Sequence, residues 1–260
     1  MKPSFVVALI AFSSLMFTQC KKECDPPAPT PPPPNYEDSL KRGLWAYFDF
    51  NNSNFNDLSG KNHNMAGFNG AKFGIDTWGN ENNTLQLDGA DDYALIDSGK
   101  VFPDGNFTVS LLMMPANTYG RVFQKANPAD AKGASMGLGY DDAGQNVLVF
   151  NVTKDNNICT TLTDLSNSTP LFLTKKTFAN AWYYVVFQYI NGTQKVYING
   201  TLAGSQTNTT TSFKNCPNAP FYFGRWWNND VHAFGGKIDE LRIHTRALTE
   251  EEIKFLYSKR

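Results

Sequence analysis

Charge is scarce in this chain. Asp, Glu, Lys and Arg make up 18% of its 260 residues, against about 25% in an average globular protein. The 23 basic and 24 acidic residues nearly cancel, which excludes the basic excess of a nucleic-acid binder. Histidine occurs only at 63, 232 and 244, and there is no His-Glu-x-x-His run, so the sequence mark of a zinc protease is missing. No serine nucleophile elbow is read either. The one long apolar run, Phe5 to Phe17, is too short to span a bilayer as a helix, which takes roughly 20 residues. What is abundant is asparagine and glycine, 27 and 20 residues, on a background that is 41% hydrophobic. That hydrophobic share excludes a disordered chain. Asn and Gly tolerate left-handed turns, so the composition predicts many turns joining many short strands.

The first 36 residues read as an address and a tether. Lys2 followed by the apolar run fits a signal peptide over residues 1–19. Cys20 resembles the lipidated cysteine of bacterial lipoproteins, although Phe17 and Gln19 replace the usual Leu and small residue. An ordinary secretory signal cleaved nearby is the alternative. The resemblance implies an outer-membrane lipoprotein, on the cell surface or the periplasmic face, held in the membrane by acyl chains at about 0.8 kcal/mol per buried CH2. Lys21-Lys22-Glu23-Cys24-Asp25 is similar to surface-export tags, and a plain solvated spacer fits it equally. Residues 26–34 hold seven of the 14 prolines and predict an extended spacer of roughly 28 Å, at about 3.1 Å per residue. Residues 20–36 are thus a tether, and Cys24 is unpaired within it. Asp38-Ser39-Leu40 resembles a short bacterial O-glycosylation acceptor.

Residues 37–260 read as one β-rich domain. The clearest signal is Trp182 to Ser205, where Asn191-Gly192 and Asn199-Gly200 separate three apolar-rich runs. Asn-Gly favours type I′ turns, so a three-stranded meander is predicted. Further strands are expected at Leu44–Phe50, Thr84–Leu87, Asp92–Ile96, Phe107–Met114, Arg121–Lys125, Ser135–Leu138, Asn146–Val152, Pro220–Phe223 and Lys237–His244. One short C-terminal helix is signalled by Thr249 and Glu252, the spacing of a capping box. Glu250, Glu251 and Glu252 read as helix-capping acids.

In order, LWAYFDFNNSNFNDLSGKNH (44–63), LQLDGADDYALI (85–96), FTVSLLMMP (107–115), WYYVVFQYINGTQKVYINGTLAG (182–204) and FGGKIDELRIHTRALTEEEIKFLY (234–257) resemble the laminin-G-like, concanavalin A-like domains of bacterial surface proteins. The resemblance implies an all-β, two-sheet jelly-roll sandwich. It also implies a concave face often used for glycans but no specific ligand, because the family includes lectins, adhesion modules, glycosidases and bare structural domains, and fold does not determine function. Related glycosidases carry Glu-x-Asp-x-x-Glu on a central strand, since hydrolysis needs paired carboxylates. No such run occurs, and Phe107–Met114 and Asn146–Val152 contain no acid. A non-enzyme is therefore expected.

Family members often hold a structural Ca2+ where the first and last strands meet. Asp49, Asn51 and Asp239, with the backbone at Gly89, match that position. Phe50 and Asn52 depart from the usual pattern, and Asp239 bonding only to turn backbone is the alternative. For a poly- or oligosaccharide, aromatic faces and amide or acid side chains are needed. Trp226, Trp227, Asn228, Asn229, Asp230 and His232 supply both in one loop. Trp78 and Tyr119 are second-rank candidates. The alternative is that both tryptophans pack under the loop, with Arg225 a salt-bridge partner. Trp182 is expected in the core. Cys159 and Cys216, the only cysteines within the domain, are expected to form a disulfide, consistent with export. The leading expectation is glycan binding without catalysis. A protein-interaction or adhesion module, or a degenerate glycoside hydrolase, are the alternatives.

Overall fold

The structure, a computed structural model, describes residues 34–97, 99–126, 134–140, 146–153, 168–207, 219–226 and 232–260. Cys20, Cys24, Trp227, Asn228, Asn229, Asp230, Cys159 and Cys216 therefore lie outside the described residues.

Residues Asn35–Arg260 form one compact unit. Its elements are α1 (Tyr36–Lys41), β1 (Leu44–Phe48), β2 (Met65–Phe68), β3 (Lys72–Gly74), β4 (Thr84–Asp88), β5 (Tyr93–Ile96), β6 (Phe107–Pro115), β7 (Arg121–Ala126) and β8 (Ala134–Tyr140). They continue as β9 (Val147–Thr153), β10 (Ser168–Lys176), β11 (Tyr183–Ile190), β12 (Thr193–Ile198), β13 (Thr201–Thr207), β14 (Phe221–Phe223), β15 (Gly235–His244) and α2 (Glu250–Ser258). The strands make two antiparallel sheets. The first runs β13-β12-β11-β6-β15-β4-β3, with β1 also on β15; the second runs β10-β9-β8-β7-β14-β5-β2.

Period-two alternation sets what lies between the sheets. On β6, Phe107, Val109, Leu111 and Met113 face the core, as do Val185 and Phe187 of β11 and Phe221 and Phe223 of β14. Both Asn-Gly turns form, with φ of 46° and 90° at Asn191 and Gly192 and 52° and 74° at Asn199 and Gly200. β15 is long enough to hold two neighbours along one edge. Gly235 to Ile238 pair with β4, and Leu241 to His244 pair with β1. The change-over is a bulge in which Glu240 takes a φ of 49°.

Among the inward positions, Lys125 of β7 is charged. It pairs with Met136 and Phe221, both core residues. Its Nζ donates to the Ala219 carbonyl at 2.7 Å and lies 5.0 Å from the Phe221 ring centre.

The outer face of the first sheet carries a second apolar cluster under α2, built from Leu112, Tyr184, Val186, Tyr197, Leu248, Ile253 and Leu256, with Leu40 from α1. Trp182 packs against this cluster, half-buried and just ahead of β11. It is not between the sheets, because its neighbours Tyr183 and Tyr184 already fix the strand's two faces. The capping box is present: Thr249 accepts from the Glu252 N–H, and Glu252 accepts from the Thr249 N–H.

Four elements escape the sequence reading. β2 and β3 are three or four residues long with glycine inside. β10 contains Pro170, which an edge strand tolerates because no partner needs its missing N–H. The six-residue α1, capped by Asn35, starts the fold at the end of what reads as tether.

Candidate functional site

Two remote stretches, the approach to β7 and the β14–β15 connection, meet at one end of the second sheet. Gly120 makes this meeting feasible. Its φ is 87°, and a Cβ there would strike the Ala233 carbonyl. Without one, the backbones close: the Arg121 N–H donates to His232 O at 2.8 Å, and the Phe234 N–H to Gly224 O at 2.8 Å. Gly224 in turn donates to Val122 O at 3.2 Å. The junction fixes the start of β7, the end of β14 and the approach to β15 against each other.

Side chains gather on this backbone. The Tyr119 hydroxyl lies 3.1 Å from His232 Nδ1, and their ring centres are 5.8 Å apart. The Trp226 ring meets His232 edge-on at 4.9 Å. Arg121 extends over Trp226 at 5.9 Å while its Nη1 donates to Tyr140 O at 2.7 Å. Tyr119 is exposed, and Trp226 and His232 are half-buried. Next along the chain, Arg225 stacks on Tyr93 at 4.2 Å, and Tyr93 stacks on Phe68 at 4.8 Å. The structure thus brings three expected residues, Trp226, His232 and Tyr119, into one contact group. Tyr93, half-buried, and Phe68, exposed, escape the sequence reading, and only their outward positions on β5 and β2 mark them.

The other two histidines have structural partners. His63 stacks on Trp45 at 3.9 Å, with Nδ1 2.6 Å from Trp45 O. His244 is buried, with Nε2 3.0 Å from Leu40 O, and burial pulls its pKa down to about 4. Trp78 is exposed, but it stands on the β3–β4 turn of the other sheet, closed by Asp76 Oδ1 accepting from the Trp78 and Asn80 N–H groups.

The expected calcium ligands do not form one cage. Gly89 packs on Gly235, four residues along β15 from Asp239. At about 3.3 Å per residue that is roughly 13 Å, whereas oxygens sharing a Ca2+ at about 2.3–2.6 Å lie within about 5 Å of each other. Gly89 is therefore removed from the set. Asp49 accepts from Asn51 N–H at 3.1 Å and from Asn51 Nδ2 at 2.9 Å. Asp239 Oδ1 accepts from the Glu240 N–H at 2.7 Å, and burial pushes its carboxyl up to about 8.

Ser39 of the glycosylation-like triplet donates to Glu252 and accepts from Arg42 at 2.9 Å. Its hydroxyl is committed to joining α1 to α2. Gly133-Ala134-Ser135-Met136-Gly137 has the letter spacing of a serine elbow. Its Ala134–Tyr140 portion is, however, a strand in mid-sheet, not a strand-to-helix turn.

The fold is shared with several solved structures. Domain 4 of AbnA, a GH43 extracellular arabinanase from Geobacillus stearothermophilus, solved with arabinotriose, is 21% identical with a TM-score of 0.56. The match covers 82% of this chain and 98% of that one. A structure reported for botulinum neurotoxin type C and its interaction with two ganglioside molecules gives a TM-score of 0.64 at 12% identity, over 86% of this chain and 52% of that one. The botulinum neurotoxin DC binding domain in complex with rat synaptotagmin II gives 0.61 at 12%, over 85% and 52%. This chain thus spans about half the length of those toxin chains. No curated protein matches its sequence. The family model described as the concanavalin A-like lectin/glucanases superfamily (Laminin_G_3) matches residues 88–254, and the chain belongs to that family.

Proposed function

We propose that this is an envelope lipoprotein whose jelly roll binds a poly- or oligosaccharide without cleaving it. The observation that carries the reading is the convergence on one surface of Tyr119, ahead of β7, with Trp226 and His232 of the β14–β15 connection. A half-buried indole offers an apolar plate to a sugar ring, and the Tyr119 hydroxyl and His232 imidazole offer hydrogen bonds at its edge. The absence of acid pairs from β6 and β9 in the sequence supports binding without hydrolysis. Cys20 carries the lipid anchor, residues 20–36 the spacer, and Cys159–Cys216 a disulfide.

The test is a glycan array followed by affinity electrophoresis in soluble polysaccharides. Retarded migration that Trp226→Ala abolishes, with the melting temperature kept, supports the reading. No ligand across the array would sink it. Fatty-acid labelling that persists in Cys20→Ala would remove the anchor, and free thiols at Cys159 and Cys216 would remove the disulfide.

A second reading, a protein-binding module, is favoured by the toxin domain solved with synaptotagmin. Capture of a protein partner that survives glycosidase treatment would favour it.

A further inference from the structure

The end of the second sheet that holds Trp226 continues past it. Along the order β14-β7-β8-β9-β10, this end presents the close of β14, the start of β7, the close of β8, the start of β9 and the close of β10. Four inter-strand gaps of about 4.8 Å make the row roughly 19 Å long. Trp226, His232 and Tyr119 occupy its β14–β7 end. Phe178, just past the close of β10, stands at the other. It is 57% exposed, more than the 40% of Tyr119.

Tyr140, at the close of β8, couples the two ends. Its N–H donates to Gly120 O at 2.9 Å, and its carbonyl accepts from Arg121 Nη1 at 2.7 Å, which holds the Tyr119 side. Its buried hydroxyl lies 2.9 Å from Thr177 Oγ1, which holds the residue before Phe178. The Thr177 N–H donates to Asn146 O at 2.9 Å, and the Asn180 N–H to Pro115 O at 2.7 Å. The Phe178 N–H donates to the Tyr183 hydroxyl at 3.0 Å. The connection that carries the exposed ring is thus tied down on both sides of it.

Polar groups lie between the aromatic ends. The Thr118 hydroxyl donates to Asn146 Oδ1, which leaves the Asn146 NH2 as the group on offer. Both residues are half-buried, so solvent reaches them. Apolar plates at the two ends of a row with amide donors between them complement a chain of sugars, whose ring faces are apolar and whose edges carry hydroxyls. A single sugar ring reaches only one plate.

We infer that Phe178 is a further subsite of the same surface. A linear polysaccharide lies along the row of strand ends, with one sugar on Trp226, another on Phe178, and Asn146 donating to a hydroxyl between them. This rests on the sugar-binding reading of the Trp226 surface and adds to it that the ligand is a chain several sugars long.

The experiment runs the full chain in native gels containing laminarin, xylan, arabinan, galactan or hydroxyethylcellulose. Oligosaccharides of two to six units from each retarding polymer are then titrated by calorimetry. Affinity is expected to climb about tenfold or more from the dimer to the hexamer. Phe178→Ala should lose about tenfold on the hexamer, as truncating an aromatic anchor does, and nothing on the dimer, whereas Trp226→Ala loses on both. Asn146→Asp keeps the oxygen that Thr118 uses and tolerates the φ of 60° at this position. It removes the NH2 and should lose about three- to tenfold on the hexamer. Leu202→Ala, exposed on β13 of the other sheet, should change nothing. Melting checks each fold, and Asn146→Asp decides the matter if Phe178→Ala unfolds. Full hexamer affinity in Phe178→Ala or Asn146→Asp, or a dimer that binds as tightly as the hexamer, would overturn this inference and leave the Trp226 reading standing. Retardation in none of the gels would overturn both.

Discussion

The Tyr119 hydroxyl and His232 Nδ1 are 3.1 Å apart although 113 positions separate the residues. Their meeting depends on backbone rather than on side-chain affinity. The Arg121 N–H bond to His232 O and the close approach at Gly120 hold both segments before any side chain contributes.

Tyr119→Phe keeps the ring and removes the hydroxyl. Glycan affinity is expected to fall about three- to tenfold, the worth of one neutral hydrogen bond. The melting temperature should fall only by the few degrees that one exposed hydrogen bond of about 1 kcal/mol is worth, because the ring and its packing stay. Affinity electrophoresis and a thermal melt read the two effects; an unchanged affinity would remove Tyr119 from the site.

Gly120→Ala tests the junction itself. A positive φ and a Cβ meeting the Ala233 carbonyl act together, and such incompatible Gly→Ala changes cost more than about 1 kcal/mol. Chemical denaturation should show a loss of about 2 kcal/mol or more, and amide exchange should speed up at Arg121 and Phe234. A variant as stable as the parent would mean that the segments meet less tightly.

Much of this was legible in the sequence. The two Asn-Gly turns and the Thr249–Glu252 capping box have short-range causes, so residue types alone reveal them. Alternation in Phe107–Met114 likewise gives away a strand. The junction was only half legible. Trp226 and His232 stood out because they share a loop, whereas Tyr119 joins them through a backbone bond that no local pattern encodes. Trp78 has the same composition cue as Trp226 and lies on the other sheet. Trp182 looked like core because it precedes an apolar strand, yet a second apolar cluster under α2 receives it. Gly89 failed as a calcium ligand because register along β15, not sequence proximity to an acid, sets its distance from Asp239.

Glu252 ties both helices to the sheet. Its carboxylate takes Arg246 Nη1 and Nη2 at 2.8 and 2.7 Å, the Thr249 N–H at 2.8 Å and the Ser39 hydroxyl. Burial opposes its charge, but Arg246, Ser39 and the Thr249 N–H overcome that and hold its pKa at about 2. A depressed acid stabilises the fold above its unfolded value of 4.5, and that contribution disappears as pH falls from 4.5 towards 2. Glu252→Gln should cost about 3 kcal/mol at neutral pH, as expected when one partner of a buried ion pair is removed. It should also flatten the acid limb of stability between those values. Urea titrations at several pH values check both; an unaltered acid limb would assign the loss to other carboxylates.

Lys125 runs the opposite way. Burial pulls its pKa from 10.5 down to about 7, with the Asp104 charge opposing the shift. Between those values the unfolded chain holds a proton that the folded chain has shed. Stability from this group therefore rises with pH across the window, and its full penalty is present at pH 7 and below. That penalty is on the order of 5 kcal/mol, at about 1.4 kcal/mol per pKa unit. Lys125→Met keeps the length of the side chain, removes the charge and gives up the bond to Ala219 O, which costs about 1 kcal/mol. A net gain on the order of 4 kcal/mol is expected at pH 7, shrinking towards zero or below by pH 10. Denaturant unfolding at the two pH values measures the difference. A variant less stable than the parent at pH 7 would show that the ammonium is better accommodated in the sandwich than its burial implies.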